Sequence, residues 1–178
     1  MIQRLLAVLA LILAAGALAP PAEAGYVFYF RVFGAWTVTC WQDEPTGHKD
    51  CNLTAPQADL SAAGDKSKVA VFETAPGAFA ISVQLRGVAT GAHGGHHLAV
   101  DGGTAREATS DRAGLAGWDG AAAAKMVAAM RAGKTLTLRS QAGADQPARE
   151  EAVPLDGFAQ ALDVYRLKLR GEGVLKDG

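Results

Sequence analysis

Apolar and polar side chains alternate through Ala35-Trp36-Thr37-Val38-Thr39-Cys40-Trp41: Trp36, Val38 and Cys40 share one face, and the two threonines share the other. A period of two marks a strand with one buried face. The alternation returns at Cys51, Leu53 and Ala55, after a loop from Gln42 to Asp50 that carries a proline, a glycine and several charges. Two neighbouring strands closed by that loop are the simplest structure. Lys68–Thr74 and Ala78–Gln84 alternate in the same way around Ala75-Pro76-Gly77, a turn with Pro and Gly where turn geometry favours them. Asp101-Gly102 after His97–Val100 is a hairpin signal leading into a short strand around Ala105, and Lys134–Ser140 reads as a further strand.

Twice the period lengthens to that of a helix. Asp119 is placed to cap an Ala-rich segment over 121–132, with Gly133 as its stop. Met126, Val127 and Met130 form one apolar stripe there. Such a stripe can grip flexible ligands, but at this spacing it reads as core. The second helix follows Asp156, another cap candidate, and repeats Phe158, Leu162, Tyr165 and Leu169 along one buried face. Its late Arg166, Lys168 and Arg170 suit the negative end of the helix dipole. A basic amphipathic helix can also bind membranes, but the dipole accounts for three cations without that role. The chain is therefore expected to be mainly β, a sandwich of seven or eight short strands with two short α-helices packed on it.

The N-terminus departs from both periods. Arg4 precedes an unbroken apolar run from Leu5 to Leu18, and Ala22-Glu23-Ala24 supplies an A-x-A site before Gly25. That is the layout of a secretory signal peptide over residues 1–24. An uncleaved anchor is the rival, but the run is about 14 residues, short of the roughly 20 of a spanning helix. Cleavage leaves one domain, residues 25–178, with no membrane span. The formal net charge of −1 argues against nucleic-acid binding, which calls for a strongly basic face.

Export changes the meaning of the two cysteines, because an oxidising compartment turns a thiol pair into a disulfide. Cys40 and Cys51 flank the loop of the first hairpin and are expected to lock it. A structural zinc site needs four ligands, with only His48 nearby, and a redox site favours C-x-x-C opening a helix.

Taken together, F-G-x-W-x-V-x-C from Phe33, C-x-L from Cys51, D-G-G from Asp101, the short helix ending at Gly133 and P-L-D-G-F from Pro154 resemble the invasion-associated locus B family of exported Gram-negative bacterial proteins. F-G-x-W-x-V-x-C over Phe33–Cys40 and C-x-L at Cys51 are similar to its opening block. Leu98–Gly103 matches its D-G-G segment, Met126–Gly133 its short helix, and Pro154–Leu162 its closing proline-leucine strand and G-F helix. The resemblance covers roughly residues 32 to 165. It implies an immunoglobulin-like β-sandwich, a periplasmic or secreted location, and a loose link to host-cell invasion. It supplies no catalytic residues. Many members carry a second cysteine pair after the D-G-G segment, whereas Thr104–Trp118 contains none and is expected to hold by packing.

Chemistry is sparse. His93, His96, His97 and Asp101 gather three imidazoles and a carboxylate, a donor set suited to zinc or copper in a metal-binding protein or hydrolase. On an extended segment, however, His96 faces away from His97 and Asp101. No G-x-S-x-G elbow or phosphate loop is present, and adjacent Glu150 and Glu151 point to opposite faces. Trp41, next to Asp43, Glu44 and His48 on the disulfide-tied loop, is the candidate binding surface, although it could equally cover a sheet edge. The function expected is non-catalytic, without a cofactor, acting by binding an envelope or host protein.

Overall fold

The computed structural model describes residues 25–55, 67–85, 95–112, 114–141 and 147–171. The leader expected over residues 1–24 lies outside them. Eleven strands and two helices occur among the described residues. The strands are β1 (Gly25–Phe33), β2 (Trp36–Asp43), β3 (Lys49–Ala55), β4 (Lys68–Ala75), β5 (Ala78–Gln84), β6 (His96–Val100), β7 (Arg106–Glu107), β8 (Ser110–Arg112), β9 (Leu115–Trp118), β10 (Thr135–Ser140) and β11 (Arg149–Pro154). The helices are α1 (Gly120–Ala132) and α2 (Phe158–Gly171). All strand pairs are antiparallel. They form a seven-stranded sheet, β1-β2-β3-β4-β5-β9-β8, and a four-stranded sheet, β11-β10-β6-β7. The mainly β, sandwich-like class expected from the sequence is what the chain adopts, with its two helices and one disulfide.

Three more strands form than the eight expected at most. β1 escapes a period-two reading because its register shifts between Val27 and Tyr29. β8 and β9 are too short for any period to show, whereas β7 falls beside the short strand expected around Ala105. β11 is charged and ends in Pro154, which its edge position permits.

The core lies between the sheets. Trp36, Val38, Leu53, Val71, Ile81 and Val83 from the large sheet meet Leu98, Leu136 and Leu138 from the small one. Met126, Val127 and Met130 of α1 are buried, as are Phe158, Leu162, Tyr165 and Leu169 of α2, so both apolar stripes are core.

The first and last motif blocks meet here. Gly34, at φ +55°, turns β1 into β2, and Gly157, at φ +78°, turns β11 into α2. The two turns touch so closely that a Cβ on Gly157 would lie 2.2 Å from the Phe33 carbonyl oxygen. Ala35 donates its N–H to the Asp156 carbonyl at 3.2 Å. The Trp36 indole donates to the Pro154 carbonyl at 2.9 Å and meets the Phe158 ring edge-on at 4.6 Å. F-G-x-W and P-L-D-G-F are thus two halves of one clasp.

The helix ends differ from expectation. The Asp119 side chain makes no capping bond, and its backbone carbonyl accepts from Ala123 N–H instead. Gly133 does stop α1 but is extended, at φ −90°, rather than left-handed. Glycine is required there by proximity: a Cβ would lie 2.3 Å from Val100 Cγ1.

Candidate binding surface

Cys40 and Cys51 are directly opposite in the β2–β3 pair, with Cα atoms 4.0 Å apart and sulfurs bonded. Both face the core and are fully buried. The loop they support is a turn held by its own polar groups. The Asp43 carboxylate accepts from the Thr46 hydroxyl, and Thr46 Oγ1 accepts from His48 N–H at 3.1 Å. Asp43 N–H reaches the His48 carbonyl at 2.8 Å. Asp43 therefore shapes the turn, while Glu44 and His48 are exposed at its tip.

Trp41 points away from the core and is half-buried. Its cross-strand neighbours are Val27 on β1 and Asp50 on β3. One row along, Phe30 lies opposite Thr39. Val27 is 58% exposed and Phe30 62%. Large apolar side chains on one face at that exposure need an explanation, because a soluble surface rarely gathers them. The sequence analysis found Trp41 and missed Val27 and Phe30. The signal available was composition, five aromatic or β-branched residues in a row at 26–30, but the bulge hid the strand that displays them.

The histidine-rich segment is divided among three tasks. His93 lies outside the described residues. His96 is 1% exposed and faces inward, with Nε2 3.2 Å from Asp111 Oδ2 and Nδ1 without a partner. Because His96 is on β6 and Asp111 on β8, this contact ties one sheet to the other. With Trp118 Nε1 donating to the Arg106 carbonyl at 2.9 Å, it secures the cysteine-free segment by hydrogen bonds as well as packing. His97 faces outward into an open depression of about 550 Å³ that Arg139 and Glu150 also line. Asp101, at φ +50°, accepts from the N–H groups of Lys134 and Thr135, fixing the turn from α1 into β10. Among the described residues, no three His, Cys, Asp or Glu side chains gather where they could hold a metal ion.

One buried charge cluster was not anticipated. Glu73 lies on the inward face of β4 with its side chain fully buried, and Arg166 Nε donates to it at 2.9 Å. Its other oxygen accepts from Gly77 N–H at 2.7 Å. The buried Tyr165 hydroxyl accepts from Glu73 N–H at 3.0 Å, and burial pushes its pKa up to about 12. Arg166 thus has a specific anion, which goes beyond the helix dipole. The cluster pins α2 to the β4–β5 hairpin and is structural by its enclosure.

A family model described as invasion associated locus B (IalB) protein matches residues 36–166. The chain belongs to the IalB family. Its fold is similar to the crystal structure of invasion associated protein B from Bartonella henselae, with a TM-score of 0.63 at 23% identity, covering 80% of this chain and 98% of that one. A search of curated proteins finds no match. The IalB family match begins at Trp36, so it takes in the Trp36 contacts with Pro154 and Phe158, and ends at Arg166, within the Glu73 cluster.

Proposed function

We propose that this IalB-family chain is an exported, non-catalytic binding protein, periplasmic or secreted by a Gram-negative cell. It works in the envelope or at host contact, with the outer strip of β1 and β2 as its contact face. The exposure of Val27 and Phe30 beside Trp41 carries this reading. The disulfide supports export, since such bonds persist in oxidising compartments. Membership of a family named for invasion rather than for a reaction supports a passive role. The rival reading, metal-assisted chemistry at His93, His96, His97 and Asp101, is weakened because Asp101 is engaged by backbone amides and His96 faces the core.

Pull-down from envelope extracts tests the role, using wild type, Trp41→Ala and Phe30→Ser at matched thermal stability. The expected result is that both variants lose partners that the wild type retains. An identical bound set for all three would refute the assigned face. Zinc or copper found at one equivalent in protein purified from its natural compartment, and lost in His97→Ala, would favour the rival.

A further inference from the structure

We infer that the β1–β2 strip receives a basic segment of a partner protein, whose arginine or lysine side chains lie over Trp41 and Phe30 beside Asp43, Glu44 and Asp50. This rests on the binding role proposed above and names the chemistry of the partner.

The strip is both apolar and acidic. Trp41 sits in register between Val27 on β1 and Asp50 on β3. Asp43 follows two residues along β2 and so shares its face, and Glu44 is exposed where the loop begins. Asp43 accepts from the Thr46 hydroxyl, and Asp50 from Cys51 N–H at 2.7 Å. Both donors are neutral, so both charges remain. Among the described residues, no ion pair reaches Asp43, Glu44 or Asp50.

The cations of these strands are all on the opposite face. Arg31 lies across from the inward Val38, and Lys49 across from Gln42, which alternates with Trp41. On that side the chain supplies cations to its own rings. The Arg31 guanidinium is 5.3 Å from the Phe33 ring centre, Lys49 Nζ 5.6 Å from that of Phe28, and Lys168 Nζ of α2 4.5 Å from that of Tyr29. Phe30 and Trp41 have no such cation among the described residues. Rings bordered by unpaired carboxylates draw a cation through the ring quadrupole and through net charge together. A guanidinium suits both, because it stacks on an aromatic face and forks onto a carboxylate. Exposed Val27 and Phe30 add a demand for apolar neighbours beside that cation, which a protein segment meets and a free ion does not. A second copy in a two-fold contact would instead set the three carboxylates against their own counterparts.

Fluorescence anisotropy tests the inference with two short labelled peptides, one alternating leucine with arginine and the other leucine with glutamate. Protein purified from its natural compartment is expected to bind the arginine peptide about tenfold or more tightly than the glutamate peptide, with the difference shrinking at high salt. Glu44→Gln with Asp50→Asn keeps an acceptor for Cys51 N–H and should weaken binding several-fold, as should Phe30→Ser. Glu107→Gln removes an exposed carboxylate from the small sheet and should change nothing. Equal binding of the two peptides, or an equal loss in Glu107→Gln, overturns the inference. Self-association that Phe30→Ser abolishes makes the occupant a second copy and overturns it as well. If Trp41→Ala and Phe30→Ser lose envelope proteins in pull-downs while Glu44→Gln with Asp50→Asn keeps them, the occupant is not basic. The inference then fails and the binding role stands.

Discussion

Replacing Gly157 with alanine probes the clasp that joins the ends of the fold. The position has φ +78°, so any L-residue there pays a left-handed strain of about 1–2 kcal/mol. The new Cβ would also lie 2.2 Å from the Phe33 carbonyl oxygen and 2.9 Å from Gly34 N. These are backbone atoms that cannot rotate aside, so the turns must separate at an overpacking cost of about 1–3 kcal/mol. Separation also strains the Ala35–Asp156 bond and the Trp36–Phe158 contact. The total is about 2–5 kcal/mol, a fall in Tm of roughly 5–15 °C at this chain length. Gly77→Ala is the control: its φ is +77°, but an added Cβ there has nothing within 4 Å. It should lose only the strain, roughly 2–6 °C. Thermal denaturation followed by circular dichroism measures both. Equal losses at the two positions would show that the close approach contributes nothing, and the clasp argument would fail.

Cys40→Ser should lower Tm by roughly 6–12 °C more under oxidising conditions than under reducing ones, from about 3 kcal/mol of lost loop constraint on top of the buried hydroxyl's cost in both; an equal effect in both contradicts the disulfide's role. Arg166→Ala leaves the fully buried Glu73 carboxylate without its cation and should cost about 2–4 kcal/mol by urea denaturation, whereas Arg166→Lys should recover part of it. Tyr165 has a folded pKa of about 12 against an unfolded value of 10.0, so the unfolded chain releases this proton first and the stability it contributes is lost as pH rises from 10 to 12. Tyr165→Phe should remove that part of the pH dependence, by about 1.4 kcal/mol per pH unit in the wild-type minus variant difference; a flat difference would contradict burial of the hydroxyl.

Strong local periodicity made much of the fold legible. Trp36–Cys40 and the stripe of α2 each carry enough repeats to fix a face, and both bury the residues that the repeat selects, whereas Lys68–Thr74 alternates without either face being purely polar. What stayed hidden is non-local. No local rule says that Gly34 and Gly157 touch, so their motifs were visible while their contact was not. Glu73 broke the apolar face of β4 for a reason that lies 93 residues away, in Arg166. His96 and His97 separated as alternation requires, yet the choice of Asp111 as partner of His96 depends on how the chain crosses from β7 in one sheet to β8 in the other. The binding face was half legible: a Trp beside a disulfide draws notice, whereas a bulged strand conceals Val27 and Phe30.

The most direct test is photocrosslinking in native cells from a benzophenone side chain at position 30, compared with one at position 139 on the outer face of the small sheet. If the β1–β2 strip is the working surface, position 30 should form discrete adducts with lipid or protein, and position 139 should form few or none. Adducts from position 139 with none from position 30 would put the contact on the other sheet and contradict the assignment.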